Sequence, residues 1–166
     1  MPVLQQPRHT LYTDVMGGID DITALLEKVE RIDVGLKDGT MMRDAVAVWE
    51  GRMIEANQKQ MYSGLDSNDE EIWPEYSPQT VRNKMEEGQP YDRVTLKDTG
   101  RFYDEMGIIY GDDSFEITSR DWKTEKLKEK YGQAILGLND KSMDDFSFVV
   151  SYALLEDFEM ILFGEQ

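Results

Sequence analysis

Gly64, Pro74, Pro78, Gly88 and Pro90 all fall within residues 63–93, and this punctuated stretch most constrains the fold. Proline removes a backbone donor and clashes with the preceding turn, so no long helix or central strand can run through it. The chain of 166 residues is thereby split into two helix-rich flanks joined by a long connection, at a length that suits one domain. Within that connection, the piece from Ser77 to Gly88 is the exception. Ser77 is placed to cap, and Pro78 suits the first helical position.

On the N-terminal flank, Ile22, Leu25, Leu26, Val29 and Ile32 recur at three and four residues, predicting an amphipathic helix over about Asp20–Asp33 with those residues on one face. A second helix is expected over Thr40–Tyr62, with Met42, Val46, Trp49, Met53 and Ala56 or Asn57 inward. Together they read as a helical hairpin over residues 19–62. Ahead of it, residues 1–18 carry Pro2, Pro7 and the Gly17-Gly18 pair and are expected to be an extended arm.

After the connection, residues 94–140 change period repeatedly. Asp98-Thr99-Gly100 predicts a turn, 101–106 one or two helical turns, and the residues around Gly111 a hairpin of two short strands. A charged helix over 123–131 should end at Gly132, with Ala134–Asn139 as a brief strand. Residues 141–166 read as a helix with the stripe Phe146, Val149, Val150, Ala153, Leu154, Phe158, Ile161 and Leu162, capped by Ser142 with Asp145. The expected class is α+β: a helical hairpin and a long C-terminal helix flanking a small antiparallel sheet, in a single domain over 1–166.

The charge narrows function. The formal net charge is -16, which disfavours a protein that works by neutralising phosphates or by docking on an anionic membrane. The surplus is greatest over residues 61–121, with 15 acids against 6 bases. The absence of cysteine excludes disulfides, thiol catalysis and Cys-type metal sites, and the single histidine, His9, excludes a multi-histidine site. No apolar run reaches membrane-spanning length and the N-terminus has no signal-peptide core, so the chain reads as intracellular, or assembled inside a cell.

No motif for chemistry stands out. No carboxylate pair is singled out for general acid–base work. The run Asp66–Glu71 starts like a calcium loop but has Glu71 at the sixth position and Ser77 at the twelfth, where glycine and glutamate are needed. No glycine pattern forms a phosphate cradle. No catalytic, cofactor-binding or metal-ligating residue is therefore expected. The rings of Trp73, Tyr76, Tyr91, Phe102 and Tyr103, with Pro78 beside them, read equally as core residues or as anchors on a partner subunit.

Two segments carry a family resemblance. Trp73, Ser77, Pro78, Thr80 and Lys84 follow a W-x-x-L-S-P-x-T-x-x-x-K pattern, and Leu96, Asp98, Thr99, Gly100 and Arg101 follow L-x-D-T-G. Ile135-Leu136-Gly137-Leu138 with Asp144-Asp145 gives a third element, while only Tyr131 and Gly132 correspond to a Y-A-x-x-H-x-x-G stretch. Over roughly 73–146 the chain resembles the tailed-phage virion morphogenesis proteins, the Mu-like tail-completion, neck and head–tail connector family.

That resemblance implies a non-enzymatic virion protein, assembled in the host cytoplasm into a homo-oligomeric ring at the neck or tail. Portal, adaptor or tail-tube proteins would be its neighbours, and double-stranded DNA would pass through the lumen unbound. Arm 1–18 and loop 63–93 would exchange between subunits, and an acidic lumen would repel DNA. Leu96 would enter the core, Asp98 or Thr99 would cap the turn, and Gly100 would supply backbone freedom. The alternative is an acidic soluble module, a DNA mimic that inhibits or adapts a basic protein. A hydrolase using Asp or Glu is the third reading.

Overall fold

The computed structural model describes residues 9–111 and 114–164, with residues 9–20 described by backbone alone. Helix α1 (His9–Lys37) is followed by α2 (Thr40–Ala47) and α3 (Glu50–Tyr62). After the connection bearing α4 (Pro78–Glu86) come α5 (Arg101–Asp104), the hairpin β1 (Met106–Tyr110) and β2 (Phe115–Ser119), α6 (Thr124–Tyr131) and α7 (Asp140–Phe163). The fold is mixed helix and strand, with an N-terminal helical hairpin and a long C-terminal helix around a two-stranded antiparallel sheet.

Helix α1 corrects the expected arm. Residues 1–8 lie outside the described residues, but 9–18 are helical, through Gly17 and Gly18. No proline follows Pro7, and Leu11, Val15 and Ile19 continue the apolar spacing of the later turns. Two glycines cost a helix about 1 kcal/mol each relative to alanine, too little to stop one of 29 residues.

The second predicted helix is broken in two. Trp49 has φ -105° and ψ 0°, and its N–H donates to Val46 O at 2.9 Å, a tightened turn at the junction of α2 and α3. The inward series nevertheless carries across the break. Val46, Met53, Asn57 and Met61 are buried and Trp49 is half-buried, whereas Met42 is exposed.

The core gathers those α2 and α3 residues with Ile72, Val94, Leu96, Phe102, Tyr103, Met106, Ile117, Ile135, Leu138 and Val150. Among the described α1 side chains, residues 21–37, none is in this core. The hairpin is in the expected place, with Ile108 opposite Ile117 and Tyr110 opposite Phe115. Its β1 strand is joined to α3 by Glu50, whose carboxylate accepts from Ile108 N at 3.3 Å and from the Tyr110 hydroxyl at 3.2 Å.

Residues 134–139 do not form the predicted strand. Gln133–Ile135 is a 3-10 turn, and amides from α3 satisfy the backbone beyond it. Asn57 Nδ2 donates to Ile135 O at 3.2 Å, Gln60 Nε2 donates to Gly137 O at 3.3 Å, and Gln60 Oε1 accepts from Asn139 N at 3.1 Å. Side-chain partners thus replace a neighbouring strand. The cap of α7 also differs: Asn139, not Ser142, is the N-cap, and its side chain accepts from Ser142 N at 3.0 Å.

Met53 and Met61 are almost wholly enclosed, so Met53→Ala or Met61→Ala should cost about 2–5 kcal/mol in urea unfolding. Val48→Ser, at a position 75% exposed, should change stability by less than about 0.5 kcal/mol.

Candidate functional site

The two motif segments pack on each other. Ser77 caps α4, its hydroxyl accepting from Thr80 N at 3.2 Å, with Pro78 in the first turn as the sequence predicts. This sets Tyr76 just ahead of the helix. The Tyr76 hydroxyl accepts from Thr95 N at 2.9 Å and Leu96 N at 3.0 Å. Lys84, about two turns on, is buried, with no carboxylate in ion-pair reach among the described residues. Its ammonium donates to Lys97 O at 2.6 Å and Gln89 Oε1 at 2.8 Å, and lies 5.1 Å from the centre of the Tyr76 ring.

Between them, residues 94–97 belong to neither helix nor strand. Leu96 is buried, as expected, and its φ is +54°, a value uncommon outside glycine. Such a conformation persists where its surroundings over-determine it. Here Tyr76 takes two successive N–H groups, while the Tyr103 hydroxyl donates to Thr95 O. At the following turn the N-cap of α5 is Gly100, at φ +92°, with no side-chain cap. Thr99 Oγ1 accepts only at 3.4 Å from Arg101 N, so the expected capping by Asp98 or Thr99 gives way to glycine backbone freedom. The Asp98 carboxylate meets Lys123 at 3.2 Å instead. Leu96 is therefore a core residue and Gly100 a turn residue, while Asp98 and Thr99 stay exposed.

The candidate anchors divide. Phe102 and Tyr103 are core residues in edge-to-face contact, 6.4 Å between centroids, which corrects their reading as subunit contacts. Tyr76 is half-buried and committed to residues 95–96. Trp73 is 70% exposed, Tyr91 is exposed, and both line a cavity of 470 Å³ with Ile72, Tyr76, Val81 and Val94. Pro78 is exposed at the start of α4. Residues 63–93 are thus fastened to the chain's own core through Ile72, Tyr76 and Lys84, and are not a free loop. The Asp66 carboxylate is spent on its own turn, accepting from Asn68 N at 2.8 Å and Glu70 N at 3.1 Å.

The surface that sequence reasoning missed lies on the two longest helices. In α1 the predicted apolar stripe is exposed at Ile22, Leu25, Leu26 and Val29, and of its five residues only Ile32 is half-buried. Ala24, Lys28, Ile32 and Gly35 form the inner side, and Gly35 allows Met41 to approach where a Cβ would stand 2.6 Å from it. Helix α7 buries Val150 and half-buries Phe146, Ala153 and Leu154, as the stripe predicts. It also exposes Phe148, Tyr152, Leu155, Met160 and Phe163, the last 77% exposed. Ten residues, 146–155, carry no charge at all. A helix apolar on all sides belongs in an interior or an interface, and α7 finds an interior on one side only. Among the described residues, no helix is long and apolar enough to cross a membrane, and no group of three or more His, Cys, Asp or Glu is placed to hold a metal ion.

No protein-family model matches the chain, and no match is found among curated proteins or solved structures.

Two predictions test the clamp. Tyr76→Phe strands two amide donors and should cost about 1–3 kcal/mol in denaturant unfolding. Burial also pushes the Tyr103 phenol well above its ordinary value. The folded state then keeps a proton that the unfolded chain gives up above pH about 10, so stability falls as pH rises past that point. The alkaline loss should be shallower in Tyr103→Phe, as thermal unfolding at stepped pH would show.

Proposed function

We propose that this chain is a structural, non-enzymatic subunit of a tailed-phage particle. It is a ring-forming head–tail connector, neck or tail-completion component, resident in the virion and assembled in the host cytoplasm. The observation that carries the reading is the apolar surface one copy leaves uncovered along α1 and α7, from Ile22 and Leu26 to Phe148, Tyr152, Leu155 and Phe163. Such surface is costly in water, by about 25 cal/mol per Å², and is recovered by burial against other subunits.

Two further features support it. The W-x-x-x-S-P-x-T-x-x-x-K and L-x-D-T-G segments, which carry the family resemblance, act together as one packing unit through Tyr76, Lys84 and Leu96. The acidic excess suits a subunit beside a DNA passage, since like charge keeps the duplex from adhering. The partners on this reading are further copies of the chain and portal, adaptor or tail-tube proteins, with genomic DNA in the lumen.

The decisive measurement is negative-stain microscopy with light scattering on the purified chain, beside micrographs of particles assembled without it. Closed rings, and particles arrested at head–tail joining, are the expected results. A chain that stays monomeric across concentration, with intact infectious particles in its absence, would overturn the reading. A salt-sensitive one-to-one complex with a basic protein would favour the acidic-module alternative instead.

A further inference from the structure

The exposed stripe of α1 has a period more specific than general amphipathicity. From Leu11 the series runs Leu11, Val15, Gly18, Ile22, Leu25, Val29, Ile32, Leu36, with steps of four and three alternating throughout. That is a heptad repeat, with Val15, Ile22, Val29 and Leu36 at a and Leu11, Gly18, Leu25 and Ile32 at d. A globular surface helix follows 3.6 residues per turn, whereas a seam held at 3.5 over almost four heptads keeps facing one partner helix. Among its described residues the seam has no such partner. Ile22 is 60% exposed, Leu25, Val29 and Leu36 are each close to half exposed, and of these described positions only Ile32 turns toward the molecule.

We propose that α1 pairs with α1 of a second copy of this chain as a parallel, in-register two-stranded coiled coil. The inference rests on the assembly reading for the presence of a second copy, and it names the contact. Three properties of the seam select that occupant. β-Branched residues at three of the four a positions (Val15, Ile22, Val29) and leucine at two of the four d positions (Leu11, Leu25) follow the pattern of parallel pairs, with Gly18, Ile32 and Leu36 departing from it.

The flanking charges are also self-complementary. In a parallel pair each g position meets the e position five residues later on its partner. Lys28 then faces Asp33 of the second copy, twice by symmetry, while Asp14 and Asp21 face the apolar Ile19 and Leu26. No like charges meet across the seam, although the chain carries a net charge of -16. The third property is access. Lys28 donates to Leu162 O at 3.1 Å, which places α7 on the inner side of α1, and the ammonium keeps donors free for a partner carboxylate. Asp33 is exposed and pairs with Lys37 one turn on, so it remains in reach.

The absence of native cysteine makes the test direct. Val29→Cys in the full chain puts a thiol at an a position, which parallel in-register pairing sets opposite its own counterpart within disulfide reach. Glu27→Cys places one at f, directed away from the seam. Under mild oxidation most of V29C should become a covalent dimer and E27C should not, with circular dichroism showing both variants folded. Equal crosslinking of the two variants, or none in V29C, overturns the proposal. Rings or larger assemblies in which V29C stays uncrosslinked overturn the seam and leave the assembly reading standing. A crosslinked V29C dimer that never grows beyond two copies supports the seam and removes the ring.

Discussion

The chain makes more apolar helix surface than it can cover. Its core is built from α2, α3, the segments around Ile72 and Leu96, the hairpin, and one side of α7. Helix α1, the longest described element at 29 residues, adds none of the buried hydrophobic side chains from its described part, residues 21–37. At about 1.5 Å per residue it extends some 44 Å, far enough to present a continuous face beyond the part that packs on α2 and α7. Single exposed leucines are ordinary on any protein, but a periodic row of them along one helix is not.

The rest of the molecule is held by polar fastenings. The Tyr76 hydroxyl on Thr95 and Leu96, the Lys84 ammonium on Lys97 O, and the Asn57 and Gln60 amides on residues 135–139 each satisfy backbone that no sheet covers. A two-stranded hairpin is marginal by itself, so these contacts replace the missing strands. They explain how a connection rich in proline and glycine is fastened to the rest of the chain. They also give three of the motif residues packing roles: Tyr76 and Lys84 bond the backbone of residues 95–97, and Leu96 is buried.

Much of this was legible in the residues. The capping serine and Pro78 of α4, the hairpin around Gly111, the stop at Gly132 and the inner stripe of α7 depend on local chemistry, and they stand where the spacing puts them. The break at Trp49 was not legible, because the apolar series from Val46 to Asn57 reads the same through a tightened turn. Nor were the fates of Phe102 and Tyr103, since a ring near a turn has the same sequence signature whether it points inward or outward.

The clearest division concerns α1. From Ile22 to Ile32 the spacing alone determined a helix with one apolar face, since periodicity is a property of neighbouring residues along the chain. Only the tertiary structure decided that this face would meet solvent. Burial depends on what the remaining elements bring alongside, and α2 and α7 already occupy the opposite side through Gly35, Ile32 and Lys28.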